Sequence, residues 1–129
     1  MNARKGMTLL VRAFPVLPER EGQVRTLAEE VQGERRFQAD EFYRRLGVLR
    51  ETWHLQQTEA GPMCIVVTEL ADLEEAARLY AASEHPFDTW FKQQVRRISG
   101  IDPSREPKGP WSEQVFDWSE TAALPEVAR

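Results

Sequence analysis

One cysteine, Cys64, occurs in the 129 residues. An internal disulfide is excluded, and a reducing compartment, most simply the cytoplasm, is the expected location. Histidine is almost as scarce, with His54 and His85 alone. Two separated histidines and one cysteine do not make a closed zinc set, so no metal site is expected. The chain has no Gly-rich phosphate loop, dinucleotide fingerprint or nucleophile elbow, and no cofactor is expected. Positive charge is in deficit: 17 Lys and Arg against 21 Asp and Glu give a net charge of −4. That balance argues against a nucleic-acid binder and offers no attraction to anionic membranes. The basic pairs Arg35-Arg36, Arg44-Arg45 and Arg96-Arg97 sit in acid-rich helical sequence and read as solvated helix faces. Long apolar runs are missing too. Residues 7–11 follow Arg4 and Lys5, but Arg12 ends the run, which is too short for a signal peptide or a membrane span.

What is present is ordinary globular sequence, 41% hydrophobic and 29% charged. It fits a single domain over residues 1–129, with a core at about 7–118 and a loose C-terminal tail. Residues 7–14 read as a first strand, ended by Pro15 and Pro18. Helical sequence covers about 19–46. Its two apolar stripes, Val24, Leu27, Ala28, Val31 and then Ala39, Phe42, Tyr43, Leu46, are separated by Gly33, where a kink or break is plausible. Gly47 suits a helix C-terminus. Residues 48–58 and 63–70 form a hairpin around Glu59-Ala60-Gly61-Pro62. Strand two alternates, with Leu49, Glu51, Trp53 and Leu55 on one face and Arg50, Thr52, His54 and Gln56 on the other. Strand three is nearly all apolar, as a central strand should be. The register stays open, because a two-residue turn at Ala60-Gly61 and a longer loop give opposite face pairings. Asp72 caps the next helix, Pro86 starts another and Gly100 closes it. A proline-rich surface loop follows at 101–110, and residues 111–118 read as a last strand.

The order β-α-β-β-α-β predicts an α+β fold of the ferredoxin-like kind, one antiparallel sheet with helices on one face. The other sheet face carries apolar, aromatic and charged residues together, whereas a water-facing one would be more uniformly polar. Packing two such faces together in a symmetric homodimer would cover it and enclose a barrel-like cavity. Three segments point the same way: Arg44-Arg-Leu-Gly-Val-Leu-Arg-Glu51, Leu55-Gln-Gln-Thr58, and Ser83-Glu-His-Pro-Phe-Asp-Thr-Trp-Phe91 with Gly100-Ile-Asp102. Over roughly residues 7–118 the chain resembles small bacterial proteins of unassigned function that are similar to the dimeric α/β-barrel superfamily. That superfamily includes cofactor-independent monooxygenases, haem-degrading enzymes, muconolactone-type isomerases and stress-responsive proteins. The resemblance therefore implies a fold more than a reaction. The ligand residues of the haem-degrading relatives have no assignable counterparts here.

The candidate catalytic residues are His54, a base if it faces a cavity, and Glu51. His54 equally suits a wet or hydrogen-bonded strand position. Candidate ligand-binding residues are Arg12, Trp53, Glu69, His85, Asp88 and Trp90. Arg12, Glu51 and Glu69 are charges in apolar strands, and with strand three in the centre they are expected to meet, as an ion pair or as a polar floor for a ligand. His85 suits a cap or a cavity mouth, while Asp88 favours a helix N-terminus. Phe87, Trp90 and Phe91 suit a core or a pocket rim. Cys64 reads as a small buried hydrophobe, with no basic partner nearby to activate it.

These readings give a cytoplasmic homodimer that binds a small hydrophobic or aromatic molecule. If it is an enzyme, a cofactor-independent oxygenase or isomerase is expected. His54→Ala or Glu51→Gln would then abolish turnover without unfolding the dimer. The alternatives are a non-catalytic dimer with a side-chain-filled interior, and a module that binds a partner through a sheet edge or the loop at 103–110.

Overall fold

The computed structural model describes residues 6–104 and 111–120. The Arg4-Lys5 pair, residues 105–110 of the proline-rich loop and residues 121–129 of the tail lie outside the described residues. The element order is β1 (Thr8–Pro15), α1 (Glu21–Gln32), α2 (Arg36–Arg45), β2 (Val48–Thr58), β3 (Gly61–Leu70), α3 (Leu73–Ala82) and α4 (Pro86–Ser99). Three strands form one antiparallel sheet in the order β1-β3-β2. The nearly continuous apolar strand is thus the central one.

The long helical region breaks at Gly33, where a Cβ would lie 2.9 Å from the Glu29 carbonyl oxygen. Any larger residue would crowd that turn, so the break divides the region into α1 and α2. The stop and start signals elsewhere behave as their chemistry requires. Asp72 accepts a hydrogen bond from the Glu75 amide at 3.1 Å, Pro86 opens α4, and Gly100 ends it in a left-handed conformation at φ 79°. The hairpin closes through the two residues Glu59-Ala60, with Thr58 opposite Gly61, one residue earlier than the Ala60-Gly61 turn considered above. The Thr58 hydroxyl holds it, donating to the Gly61 carbonyl and accepting from the Ala60 amide.

The register decides which side chains share a face. Leu10, Arg12 and Phe14 of β1 align with Thr68, Val66 and Cys64 of β3, and these with Glu51, Trp53 and Leu55 of β2. This set faces the helices. Leu9, Val11 and Ala13 align with Glu69, Val67 and Ile65, and these with Arg50, Thr52 and His54, on the outer face. A register shift between Val48 and Arg50 leaves Leu49 as an extra residue.

The last expected strand does not form. Residues 111–120 are irregular, so a β-α-β-β-α-β order is not seen among the described residues. Along β1, where such a strand would pair, the Val11 amide instead donates to the Ser112 side chain at 2.9 Å. The sequence pattern explains the failure. Val115 and Phe116 are adjacent apolar residues that break the two-residue period. Both are more than 80% exposed, and Trp118 is 72% exposed.

The core falls into two parts. The larger joins Val24, Leu27 and Val31 of α1 with Phe42, Phe87, Phe91 and Ile98. The smaller holds Leu10, Leu70 and Ala76, with Trp111 packed against it. Among the described residues no helix is long and apolar enough to cross a membrane.

Candidate functional site

Between the helix-facing side of the sheet and the helices lies a cavity of about 190 Å³. One water needs roughly 10–15 Å³ of such space, so this cleft has room for several waters or a small molecule. The cavity borders both parts of the core, which explains their separation. Its wall is mostly apolar, from Leu27, Phe42, Val66 and Phe91 among others. It lies on the opposite side of the sheet from the face that two sheets packed together would share.

Glu51 is the carboxylate of that wall. Its carboxylate is held by three neutral donors from three elements. Tyr43 of α2 donates its hydroxyl to Oε2 at 2.7 Å, and the Trp53 indole Nε1 donates to the same oxygen at 2.9 Å. Thr68 of β3 donates to Oε1 at 2.8 Å. The register makes this possible, since Thr68 stands directly opposite Glu51 and Trp53 lies two residues along the same face. No cationic side chain pairs with Glu51 among the described residues. Burial first, and then the adjacent carboxylate, holds the Tyr43 phenol well above its ordinary range. Tyr43 therefore stays protonated and remains a donor at any working pH.

Two further reactive groups border the cavity. Burial, then the charge of Glu51, pushes the Cys64 thiol up from its ordinary value, which keeps it protonated and a poor nucleophile. Arg12 lies with its guanidinium 4.7 Å from the centre of the Phe14 ring. It also borders a second hollow at the β1 edge, beside Ile101, Trp111 and Ser112.

Of the residues singled out from sequence, the structure brings Arg12, Glu51 and Trp53 to this cavity. It does not bring Glu69 there. The expected meeting of Arg12, Glu51 and Glu69 fails because Glu69 lies one residue out of phase and points to the outer face. His54 is on that outer face as well, exposed, with its Nε2 3.0 Å from the Thr52 hydroxyl.

The residues at the start of α4 form a separate cluster outside the cavity lining. Asp88 is fully buried and takes a two-pronged contact from Arg45 at 2.8 and 2.9 Å, with a third bond from Ser83 at 2.6 Å. It ties α2 to α4. His85 is exposed, makes no side-chain cap, and lies 3.9 Å from Asp88. Trp90 stacks under the Arg35 guanidinium at 3.9 Å. Lys92 nearby donates to the carbonyls of Ala81 and Ser83, both at 3.0 Å.

Sequence reasoning missed Tyr43 and Thr68 as partners of Glu51. Tyr43 looked like one more apolar-stripe residue, eight positions before Glu51. Thr68 becomes its neighbour only once the hairpin register is known. Among the described residues no group of three or more His, Cys, Asp or Glu side chains could hold a metal ion. No protein-family model, curated protein or solved structure matches this chain, so the cavity itself must carry the functional argument.

Proposed function

We propose that this chain binds a small hydrophobic or aromatic molecule in the cavity between its sheet and its helices. We further propose that it works as a cytoplasmic homodimer of the dimeric α/β-barrel kind. The observation that carries the ligand reading is a carboxylate held by three neutral donors at the wall of an open, mostly apolar space. Ligand pockets have this composition, an apolar lining with a few convergent polar groups. A fixed carboxylate in such a place also suits general-base chemistry. Glu51 would take a proton from one carbon of the ligand and return it at another, which is an isomerisation and needs no oxidant. The dimer reading rests on the outer sheet face, where Leu9, Val11, Ile65 and Val67 adjoin, since paired sheets would cover that apolar strip. His54, on the same face, would then lie at the subunit interface rather than in the cavity.

A non-catalytic role has one observation in its favour. The bonds of Glu51 to Tyr43 and Thr68 also tie α2, β2 and β3 together, as a purely structural clamp would.

Native mass spectrometry of gently purified protein should show a dimer carrying a small apolar adduct. The identified adduct, incubated with the protein in deuterium oxide, should gain deuterium at carbon, and Glu51→Gln should stop that exchange while the protein stays folded. Binding without exchange in the wild-type protein would leave the binding role and discard the base. A bare chain mass, with no shift in thermal stability from a panel of small aromatics, would count against the cavity as a ligand site.

A further inference from the structure

The three groups bonded to Glu51 have committed their polar hydrogens. The Tyr43 hydroxyl, the Trp53 indole and the Thr68 hydroxyl each give their polar hydrogen to the carboxylate. Trp53 has nothing further to offer, because an indole is a donor only. The oxygens of Tyr43 and Thr68 keep lone pairs. Each carboxylate oxygen can accept about two hydrogen bonds. Oε2 already accepts two, whereas Oε1 accepts one, from Thr68. The cluster therefore offers the cavity acceptor atoms and a negative charge, and it has no hydrogen left to give. Ser99, elsewhere in the wall, is also engaged, donating to the Val95 carbonyl and accepting from the Ile101 amide. Arg12 is the cation of the lining, and it stands beside Phe14 toward the β1 edge rather than in the Glu51 cluster.

We infer that the cavity selects neutral ligands that carry a hydroxyl or N–H donor, which binds Oε1 of Glu51, and that it rejects carboxylates and donor-free analogues at that position. The inference rests on the binding half of that reading alone: a ligand donor at Oε1 takes the last open acceptor position of Glu51 and leaves none to abstract a proton from carbon. A ligand donor would meet an ionised acceptor in an apolar surrounding, where such bonds are strongest. A ligand anion would meet the Glu51 charge without a hydrogen to bridge them. An ether or plain hydrocarbon would fill the apolar wall but leave Oε1 with nothing in exchange for lost water.

Four probes of one shape test this: 2-naphthol, 2-methoxynaphthalene, naphthalene and 2-naphthoate, each titrated calorimetrically into the purified protein. The expected result is that 2-naphthol binds about tenfold or more tighter than the methyl ether, the scale of one charge-assisted hydrogen bond. The carboxylate should bind no better than naphthalene. In Glu51→Gln the preference for naphthol over its ether should shrink to about threefold or less, as expected when the acceptor loses its charge. Equal binding of naphthol and its ether by the wild-type protein would overturn the donor rule and leave the cavity reading intact. Tightest binding of the carboxylate would overturn it in favour of recognition by Arg12. Binding of none of the four would overturn both. Should the Gln variant not fold, the wild-type series decides the matter alone.

Discussion

Asp88 shows what one buried charge contributes. Burial alone would raise its carboxyl, but hydrogen bonds from Arg45 and Ser83, with the charges of Arg45 and His85, hold it below the ordinary range. A depressed carboxyl contributes stability that is fully present above its unfolded pKa, near 3.9. That contribution disappears as the pH falls through the lower folded value. Asp88→Asn should thus cost about 1–2 kcal/mol near neutral pH, the scale of a lost charge-assisted hydrogen bond, because the Arg45 left behind is 36% exposed and regains water. The gap between variant and wild type should narrow from about pH 5 downward. Urea denaturation of both proteins at pH 7 and pH 3.5 measures it; a gap unchanged between the two would discount the ion pair. The role of Asp88 was only half legible. Its place in the first turn of α4 could be read from Pro86, but Arg45 is 43 positions away in sequence, and only the packing of α2 on α4 brings them together.

At the scale of elements, legibility followed locality. Asp72, Pro86 and Gly100 mark helix ends through bonds to near neighbours, and each end lies where its residue places it. Asp72→Ala should cost about 1 kcal/mol. Gly100→Ala should cost about 1–2 kcal/mol, because φ 79° is a left-handed conformation. Both losses can be read as shifts in the urea midpoint, and a Gly100→Ala variant as stable as wild type would contradict the backbone assignment. The hairpin was less legible. Gly61 drew the turn toward itself, but Thr58 places its hydroxyl to close the Glu59-Ala60 turn. Residues 111–118 hold four apolar residues in eight, a count that suggests alternation, but Val115 and Phe116 are adjacent and the segment is irregular. The site suffered from the same limit. Glu51 and Trp53 could be picked out as unusual strand residues, whereas Tyr43 and Thr68 acquire meaning only from tertiary pairing.

For the whole molecule, the two sheet faces separate two questions. The helix-facing side holds the cavity, and the outer side holds the apolar strip of β1 and β3. Changes on one face can therefore be made with little effect on the other. Val67→Lys places a charge in the middle of the outer strip without touching the cavity wall. If two subunits pair through that face, light scattering should report a dimer for the wild-type chain and a monomer for Val67→Lys, with probe binding in the cavity retained. A wild-type monomer at micromolar concentration would end the dimer proposal. A Val67→Lys dimer would move the contact to another surface.

Cys64 gives the cavity a built-in clock. It is the single thiol in the chain, it lines the cavity, and burial with the neighbouring charge of Glu51 keeps it protonated. Alkylation by N-ethylmaleimide should be slow, should add one mass unit of reagent per chain, and should still be accelerating at a pH where an exposed thiol has levelled off. Any molecule that occupies the space should stretch the half-time of that reaction. The chain can thus be screened against unlabelled compounds by mass alone, with no knowledge of what it does to them.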